Sequence, residues 1–151
     1  DVPINASRNE KFNDVDDGAW YTKYVYSAKN SDIVKGYSDG SFKPANVVNR
    51  AEALKMILEA AGATEYNGTH SFTDVAADAW FEKYVALAVT KGIVKGRSST
   101  SFAPGDPVTR AEIAKMVVET QKTPLARVLD TIRFAIDYKP ELYFSLKQKL
   151  V

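Results

Sequence analysis

Two arginines, Arg50 and Arg110, occupy the same place in two copies of one short motif. Each copy reads Val, then Asn or Thr, then Arg-Ala-Glu, and each copy opens an amphipathic stretch. If the Asn or Thr is the helix N-cap, the arginine lies in the first helical turn, where the positive end of the helix dipole disfavours a cation. The position of the two arginines therefore needs a reason beyond helix formation.

This position has two interpretations. In one, each guanidinium pairs with a nearby carboxylate while its aliphatic stem covers apolar surface. In the other, the guanidinium and the free N–H groups of the helix end together form a site for a carboxylate or a phosphate. The second interpretation makes Arg50 and Arg110 the main candidates for ligand binding, as carboxylate ligands.

Two glutamates belong to the same motif. Glu52 and Glu112 stand three residues after Asn49 and Thr109, which is the spacing of a capping box. In a capping box the glutamate accepts a hydrogen bond from the backbone N–H of the N-cap residue. Capping therefore accounts for both glutamates, and ligand binding is a secondary role for them.

Aromatic residues and one turn complete the set of candidate ligand-binding residues. Trp20 and Trp80 each recur four residues before a tyrosine, a spacing that predicts the apolar face of a helix and packing in the core. Tyr37 lies in a loop whose Asp39-Gly40 pair is a turn signal. Aromatic faces beside such a turn would suit the stacking of a sugar ring, so these five residues are candidates for shaping a binding groove.

Composition excludes several classes of chemistry. The chain has no cysteine and a single histidine, His70, which removes disulfides, thiolate or histidine metal sites, and catalytic triads. The acidic residues Asp14, Asp16 and Asp17 lack the spacing of a calcium-binding EF-hand loop. We therefore predict no cofactor, no metal site and no enzymatic activity.

The overall charge is almost balanced. Lys and Arg number 20 against 19 Asp and Glu, for a net charge of +1. Such a chain has no broad positive field to attract nucleic acid or an anionic membrane surface. No apolar run approaches the roughly 20 residues that a membrane-spanning helix needs, so membrane insertion is not predicted. Any recognition of an anion must be local.

The elements that position the candidate residues belong to an internal duplication. Aligning residues 12–59 with residues 72–119 needs no gap and gives 24 identities in 48 pairs. The chain is thus divided into an N-terminal arm, a first repeat, a linker, a second repeat and a C-terminal tail, at residues 1–11, 12–61, 62–71, 72–121 and 122–151.

Each repeat is predicted to form a helix, a loop and a second helix, so the predicted fold is mainly α. The first helix is expected to be capped by Asp17 or Asp78. The apolar pairs Ile33-Val34 and Ile93-Val94 predict a brief extended piece in each loop. The tail, with a proline after Thr123 and apolar residues at helical spacing, is predicted to be a C-terminal helical hairpin.

Five ordered motifs appear in each repeat: Phe-x-Asp-Val, Trp-aromatic-x-x-Tyr-Val, Ile-Val-Lys-Gly, Phe-x-Pro, and Asn- or Thr-Arg-Ala-Glu. Over residues 12–60 and 72–120 the chain resembles S-layer homology (SLH) domains. The resemblance implies tandem helix-loop-helix repeats around a pseudo-threefold helical core. It also implies a non-catalytic cell-wall anchoring module of bacterial surface proteins, and hence an extracellular location at the cell wall.

The resemblance further implies a ligand. In such modules, grooves between neighbouring repeats bind a secondary cell-wall polysaccharide, often one that bears a pyruvate ketal with its carboxylate. The arginine of Thr-Arg-Ala-Glu is the signature polar residue of that groove, and it corresponds to Arg50 and Arg110. The alternative is a structural or protein-interaction module of a surface protein that keeps the fold without binding sugar.

The chain departs from the family pattern in its motifs and in its number of repeats. Asn49 replaces threonine, Ser99-Thr100 replaces Asp-Gly, and Arg97 stands where Tyr37 stands in the first repeat. The second loop is therefore expected to bind differently or not at all. The family usually assembles three repeats, and this chain has two. The third position would be filled by the tail, by association of two chains or by an upstream repeat, and we expect the tail to pack onto the repeats.

Overall fold

A computed structural model describes residues 11–123, and four helices account for the regular structure in this range. They are α1 (Thr22–Asn30), α2 (Arg50–Ala60), α3 (Glu82–Thr90) and α4 (Arg110–Lys122). No strand occurs among these residues, and the single isolated bridge is an antiparallel one between Asn49 and Pro107. The mainly α fold is confirmed. The pseudo-threefold arrangement of repeats stays a prediction. Most of the predicted arm and hairpin lies outside the described residues.

Helices α2 and α4 begin where the capping-box motif predicts. The Asn49 side chain accepts a hydrogen bond from the Glu52 N–H at 2.9 Å, and Glu52 Oε2 accepts one from the Asn49 N–H at 3.0 Å. The same reciprocal pair joins Thr109 and Glu112 at the start of α4. Both glutamates therefore satisfy backbone N–H groups that the helix itself leaves unpaired.

Helices α1 and α3 begin later than predicted, and Asp17 and Asp78 do not cap them. The N-cap positions are Tyr21 and Phe81, both with helical backbone and neither with a side-chain cap. Before α1 the chain instead makes consecutive turns, in which the Asp16 carbonyl accepts from the Ala19 N–H at 3.1 Å and the Ala19 carbonyl accepts from the Thr22 N–H at 3.1 Å. These turns lead into the helix without a side-chain N-cap.

The late start of the helices corrects the prediction for the tryptophans. Trp20 and Trp80 precede α1 and α3, so they do not share a helical face with the tyrosines that follow. Trp20 is 80% exposed and Trp80 is 53% exposed. Both therefore lie at the surface, and the predicted core packing was wrong.

The predicted extended piece after the first helix of each repeat is not a strand. In the first repeat, the N–H groups of Ile33 and Val34 both point back to the Ala28 carbonyl, at 2.9 and 3.4 Å. In the second repeat, Ile93 and Val94 make the equivalent bonds and are buried. The apolar pair packs the end of the helix against the core, and no segment within residues 11–123 pairs with it as a strand.

One aspartate in each repeat fastens the beginning of the repeat to its loop. The two carboxylate oxygens of Asp14 accept from the N–H groups of Phe42 and Lys43, both at 2.7 Å. Asp74 accepts from Phe102 and its neighbour in the same way, both at 2.8 Å. The aspartate of Phe-x-Asp-Val thus fixes the Phe-x-Pro motif of the same repeat.

The main core crosses the boundary between the repeats. Helix α2 of the first repeat packs against α3 and α4 of the second. The buried cluster therefore combines α2 with the second repeat, and its members include Leu54, Leu58, Tyr84, Leu87, Ile93, Phe102 and Met116. A smaller cluster holds α1, with Phe12, Val15, Val25 and Tyr26. The first repeat is consequently split between two clusters.

Candidate functional site

An open groove lies between the loop of the first repeat and helix α2. We call it the repeat-1 groove. It encloses about 620 Å³ and is lined by residues 33–38, 42–44 and 46–48, by one face of α2 and by Trp80. A volume of this size lies within the range of small-molecule sites in proteins. Because Trp80 comes from the second repeat, the groove is formed by both repeats.

The loop of this groove is held by the predicted turn. Asp39 accepts hydrogen bonds from the Ser41 N–H at 2.9 Å and from the Ser41 hydroxyl at 2.6 Å. These bonds lower the pKa of Asp39. Gly40 follows with a φ of +80°, a left-handed conformation that glycine adopts without strain. Asp39 and Gly40 thus shape the loop but do not line the groove.

Tyr37 connects this loop to α2. Its hydroxyl donates to Glu52 Oε1 at 2.9 Å, and this bond is the main cause of the raised pKa of Tyr37. The Lys43 ammonium lies 4.2 Å from the centre of the Tyr37 ring and 3.7 Å from Asp39 Oδ2. One oxygen of Glu52 caps the helix while the other faces Tyr37. The loop, the cap and one wall of the groove are therefore a single hydrogen-bonded unit.

Three lysines border the repeat-1 groove, and the sequence interpretation did not single them out. They are Lys35, Lys43 and Lys55. The Lys55 ammonium donates to the Ile33 carbonyl at 3.2 Å, and burial lowers its pKa. The signal that could have found two of them is the duplication itself, because lysines recur at positions 95 and 115. These side chains give the groove a local positive charge in a chain that is nearly neutral.

The corresponding groove of the second repeat is largely filled. This repeat-2 groove encloses about 190 Å³ and is lined by equivalent residues together with Arg50 of the first repeat. The Arg50 guanidinium donates to the Lys95 carbonyl at 2.7 Å and to Glu112 at 3.1 Å. It also lies 4.8 Å from the centre of the Phe102 ring. Arg50 thus fills space in the repeat-2 groove. Its counterpart, Arg110, does not line the repeat-1 groove, which is open.

Burial determines what Arg50 can do. The residue is 6% exposed, and its Nε is buried with no hydrogen-bond partner among the described residues. Its environment matches the first interpretation of the motif, in which the guanidinium pairs with a carboxylate and covers apolar surface. Direct binding of a ligand carboxylate by Arg50 stays a prediction, and it requires the Glu112 or Lys95 contact to open.

Arg97 closes the repeat-2 groove from the other side. Its guanidinium lies 2.5 Å from Glu112 Oε1. The equivalent contact in the first repeat is the hydrogen bond from Tyr37 to Glu52. The pKa of Glu112 falls to about 2, chiefly because the Thr109 N–H and hydroxyl donate to it, with Arg97 contributing further. Glu112 is therefore held by its helix cap and by two arginines.

The second loop lacks the Asp-Gly pair and makes a different set of hydrogen bonds. The Ser98 hydroxyl accepts from the N–H groups of Thr100 at 3.3 Å and Ser101 at 3.1 Å, in the place of the Asp39 carboxylate. Both loops keep one bond at 2.8 Å, from the Tyr37 N–H to the Ser41 carbonyl and from the Arg97 N–H to the Ser101 carbonyl, but the bond from the Gly40 N–H to the Tyr37 carbonyl has no counterpart in the second loop. The two loops therefore differ in the hydrogen bonds and in the side-chain charge of the turn.

The candidate residues from the sequence separate into four groups in the structure. Tyr37, Glu52 and Trp80 line the repeat-1 groove, and Arg50 and Glu112 line the repeat-2 groove. Asp39 and Gly40 support the first loop. Trp20 and Arg110 are exposed and line neither groove, and Arg110 has no partner within residues 11–123.

In the described range, no three acidic or histidine side chains come together in a way that would hold a metal ion. None of the helices α1 to α4 has the length and apolar character required to cross a membrane.

Comparison with known proteins gives the family. A model of the S-layer homology domain matches residues 11–54 and again residues 71–114. This chain belongs to the S-layer homology family. The two matched segments correspond to the two repeats found by internal alignment, and each contains a complete groove loop and the helix start that follows it.

Relatives of this SLH chain include surface-layer proteins and an endoglucanase. It is 36% identical over 119 residues to the surface-layer 125 kDa protein of Lysinibacillus sphaericus, covering 78% of this chain and 10% of that protein. It is 28% identical over 150 residues to the S-layer protein of Bacillus thuringiensis subsp. finitimus, covering 95% and 18% respectively. An endoglucanase of Bacillus sp. (strain KSM-635) is 29% identical over 124 residues, covering 78% and 13%.

The chain thus spans between a tenth and a fifth of the length of these relatives. The SLH family and its surface-layer members indicate an extracellular location at the bacterial cell wall, as the sequence predicted.

Proposed function

We propose that this SLH chain is a non-catalytic anchor that binds an anionic cell-wall polysaccharide, such as a pyruvylated one, in the repeat-1 groove. The observation that carries the proposal is the contrast between the two grooves. The repeat-1 groove is open and combines an exposed tryptophan with three lysines, whereas the equivalent space in the second repeat holds Arg50.

The chemistry of the groove suits an acidic sugar. Trp80 offers an exposed ring on which the apolar face of a sugar can stack. The ammonium groups of Lys35, Lys43 and Lys55 can make charge-assisted hydrogen bonds to a ketal carboxylate. The Tyr37 hydroxyl and the Glu52 carboxylate would accept further hydrogen bonds from sugar hydroxyls. A site that is mostly apolar with a few convergent polar groups is typical of ligand pockets.

The proposal assigns unequal roles to the two copies of the motif. Glu52 keeps its capping role and contributes one wall of the site. In the second repeat, Arg97 and Arg50 both pair with Glu112, so sugar binding there would require breaking the ion pair of the buried Arg50 or that of the more exposed Arg97. We therefore assign binding to the first repeat, with Asp39 and Gly40 as supporting residues.

A sedimentation experiment with purified cell-wall sacculi tests the proposal. The full chain should sediment with untreated walls and should remain in solution when the secondary polymer has been stripped. Mild acid removes pyruvate ketals, and walls treated in this way should bind less. Equal retention on untreated and stripped walls would contradict sugar binding and would favour the protein-interaction alternative.

A matched pair of variants locates the site. Trp80→Ala should weaken binding by about tenfold or more, because it removes the exposed ring of the groove. Trp20→Ala makes the same chemical change at the equivalent position, which lines neither groove. It should bind as the unchanged chain does, at concentrations where the protein is monomeric. Equal loss in both variants would place the site elsewhere.

A further inference from the structure

The linker between the two repeats lies against helix α3. The Gly68 backbone approaches the Ala86 carbonyl so closely that a Cβ on Gly68 would lie 2.4 Å from its oxygen. At the next residue, the Thr69 N–H donates to the Thr90 hydroxyl at 3.2 Å. The linker therefore has no room for additional atoms on the side of Gly68 that faces α3.

The same segment contains a pair of residues that can react with each other. In an Asx-Gly pair, the glycine nitrogen can attack the side-chain carbonyl carbon of the residue before it, and glycine has no Cβ to obstruct the approach. The chain has three such pairs: Asp17-Gly18, Asp39-Gly40 and Asn67-Gly68. The reaction needs a glycine N–H that no other group holds, so the hydrogen bonds of the three glycines decide between them.

The fold holds the glycine N–H in both Asp-Gly pairs. The Gly18 N–H donates to Asp16 Oδ1 at 2.9 Å. The Gly40 N–H donates to the Tyr37 carbonyl at 3.0 Å. In each of these pairs a hydrogen bond must open before the nitrogen can attack.

Asn67-Gly68 differs from the other two pairs. The Gly68 N–H donates to no group within residues 11–123, and the Asn67 side chain makes no hydrogen bond in the same range. Both residues are exposed. The attacking nitrogen and the amide that it would attack are therefore free and open to water.

We propose that Asn67 is a site of spontaneous deamidation. The Gly68 nitrogen loses its proton and bonds to Asn67 Cγ, the C–N bond of the side-chain amide breaks, and ammonia leaves a five-membered succinimide behind. Water then opens the ring. Hydrolysis at the side-chain carbonyl gives aspartate, whereas hydrolysis at the main-chain carbonyl gives isoaspartate, in which the main chain runs through Cβ and Cγ. No atom is oxidised or reduced, and water is the sole co-reactant.

The two products have different effects on the linker. Both add one negative charge, but isoaspartate also lengthens the main chain by one carbon atom directly before Gly68. Because Gly68 has no room to move towards Ala86, the longer chain must lift it from α3 and break the bond from the Thr69 N–H to Thr90. Isoaspartate therefore releases the linker, and aspartate leaves it in place.

The two repeats stay joined when the linker moves. The N–H groups of Arg50 and Ala51, at the start of α2, donate to the carbonyls of Asp106 and Pro104 at 2.9 and 3.1 Å. These bonds connect the repeats independently of the linker. The modification goes beyond the proposed function because it needs no polysaccharide, and its test is made without wall polymer, so the two can fail separately.

Incubation of the full chain at pH 9, in buffer and in guanidinium chloride, is the first measurement. The tryptic peptide 56–83 contains Asn67 as its sole asparagine, and it gains about one dalton when the amide becomes a carboxylate. Folding should slow this conversion by less than about tenfold, because nothing has to open first. At both Asp-Gly pairs folding should slow the formation of isoaspartate by more than that. Slowing at Asn67 as great as at the Asp-Gly pairs would overturn the inference.

A matched pair of asparagine variants assigns the mass gain to this position. Asn67→Gln should abolish it, because attack on the longer side chain would have to close a six-membered ring. Asn30→Gln makes the same change at another exposed asparagine, whose following N–H donates to the Ser27 carbonyl, and it should convert as the unchanged chain does. An undiminished mass gain in the Asn67→Gln peptide would exclude Asn67 as the reacting residue.

The effect on the linker is measured on the separated products. Ion-exchange chromatography separates the converted chains by charge, and Asn67→Asp supplies the charge without the lengthened main chain. The Thr69 amide should exchange at least about tenfold faster in the isoaspartyl form than in the unchanged chain, because its bond to Thr90 is lost. In freshly prepared Asn67→Asp it should exchange as in the unchanged chain. Equal exchange in the isoaspartyl form and the unchanged chain would show that the linker is not released.

Discussion

Arg50 and Arg110 show how one motif takes two environments in one chain. Both stand at the first position of a helix, after a side-chain cap and before a capping glutamate. Arg50 is buried against the following repeat, whereas Arg110 faces solvent. The partner of Arg50 is Glu112, 62 residues away, so its environment depends on how the repeats stack. The motif alone could not predict it, and both interpretations from the sequence were needed.

This difference predicts unequal effects of the same substitution. Arg50→Ala should lower the free energy of unfolding by about 2–3 kcal/mol, because it removes a buried ion pair and leaves the Lys95 carbonyl without its donor. Arg110→Ala is the matched control and should change it by less than about 0.5 kcal/mol. Urea unfolding at low concentration measures both. Equal effects of the two substitutions would show that burial of Arg50 does not contribute to stability.

The sequence predicted the role of the two capping glutamates but did not single out the lysines of the groove. The capping spacing predicted the hydrogen bonds of both glutamates correctly, because a capping box is local and needs only four residues. Three of the predicted ligand-binding residues, Tyr37, Glu52 and Trp80, line one groove, and their role in binding stays a prediction. The lysines were not predicted, since a lysine on an exposed helix or loop has no local pattern that separates a groove from open solvent.

At the scale of elements, the two kinds of helix differ in how well the sequence determines their starts. Helices α2 and α4 have side-chain caps and begin as predicted. Helices α1 and α3 have none and follow a series of turns, in which no single residue type marks the first helical position. That is why the tryptophans were placed on a helix that in fact begins after them.

The start of α4 also predicts a dependence on pH. The pKa of Glu112 is about 2 in the folded chain, below its usual value of 4.5, so the folded state binds fewer protons than the unfolded state between these values. The stability that Glu112 provides is therefore complete above about pH 4.5 and is lost as the pH falls towards 2.

Urea unfolding of the unchanged chain and of Glu112→Gln, each at pH 7, 4 and 3, measures this contribution. At pH 7 the variant should be the less stable protein, and the difference between the two should shrink as the pH falls. All other carboxylates are common to both proteins, so their titration cancels in the comparison. A difference that does not vary with pH would contradict the assignment of the low pKa to Glu112.

At the scale of the whole molecule, the unit of sequence and the unit of packing do not coincide. The duplication divides the chain at the linker, but the main core joins α2 to the second repeat. Internal alignment finds what has been copied and carries no information about which copy packs on which. The sequence could therefore predict two repeats and a mainly α fold, but it could not predict that the first repeat is split between two clusters.

Hydrogen exchange should reveal this division. Amides of α2, α3 and α4 share the large cluster and should exchange slowly, whereas those of α1 depend on the smaller one. Exchange in α1 should be faster by about tenfold or more, since local opening there breaks fewer apolar contacts. Mass spectrometry of peptides from the exchanged chain measures this. Similar protection of α1 and α2 would instead indicate that each repeat opens as one unit.

The hydrogen bonds at the junction of the repeats have a consequence for how such a chain can evolve. They join backbone N–H groups at the start of α2 to backbone carbonyls of the next loop, so they do not depend on a particular side chain. Duplication of one 60-residue unit in the gene would create one more junction of the same kind. The first and last repeats of the lengthened chain would expose the same hydrogen-bonding groups as before. The number of repeats can therefore change by copying alone, without new mutations to cover an unfamiliar surface.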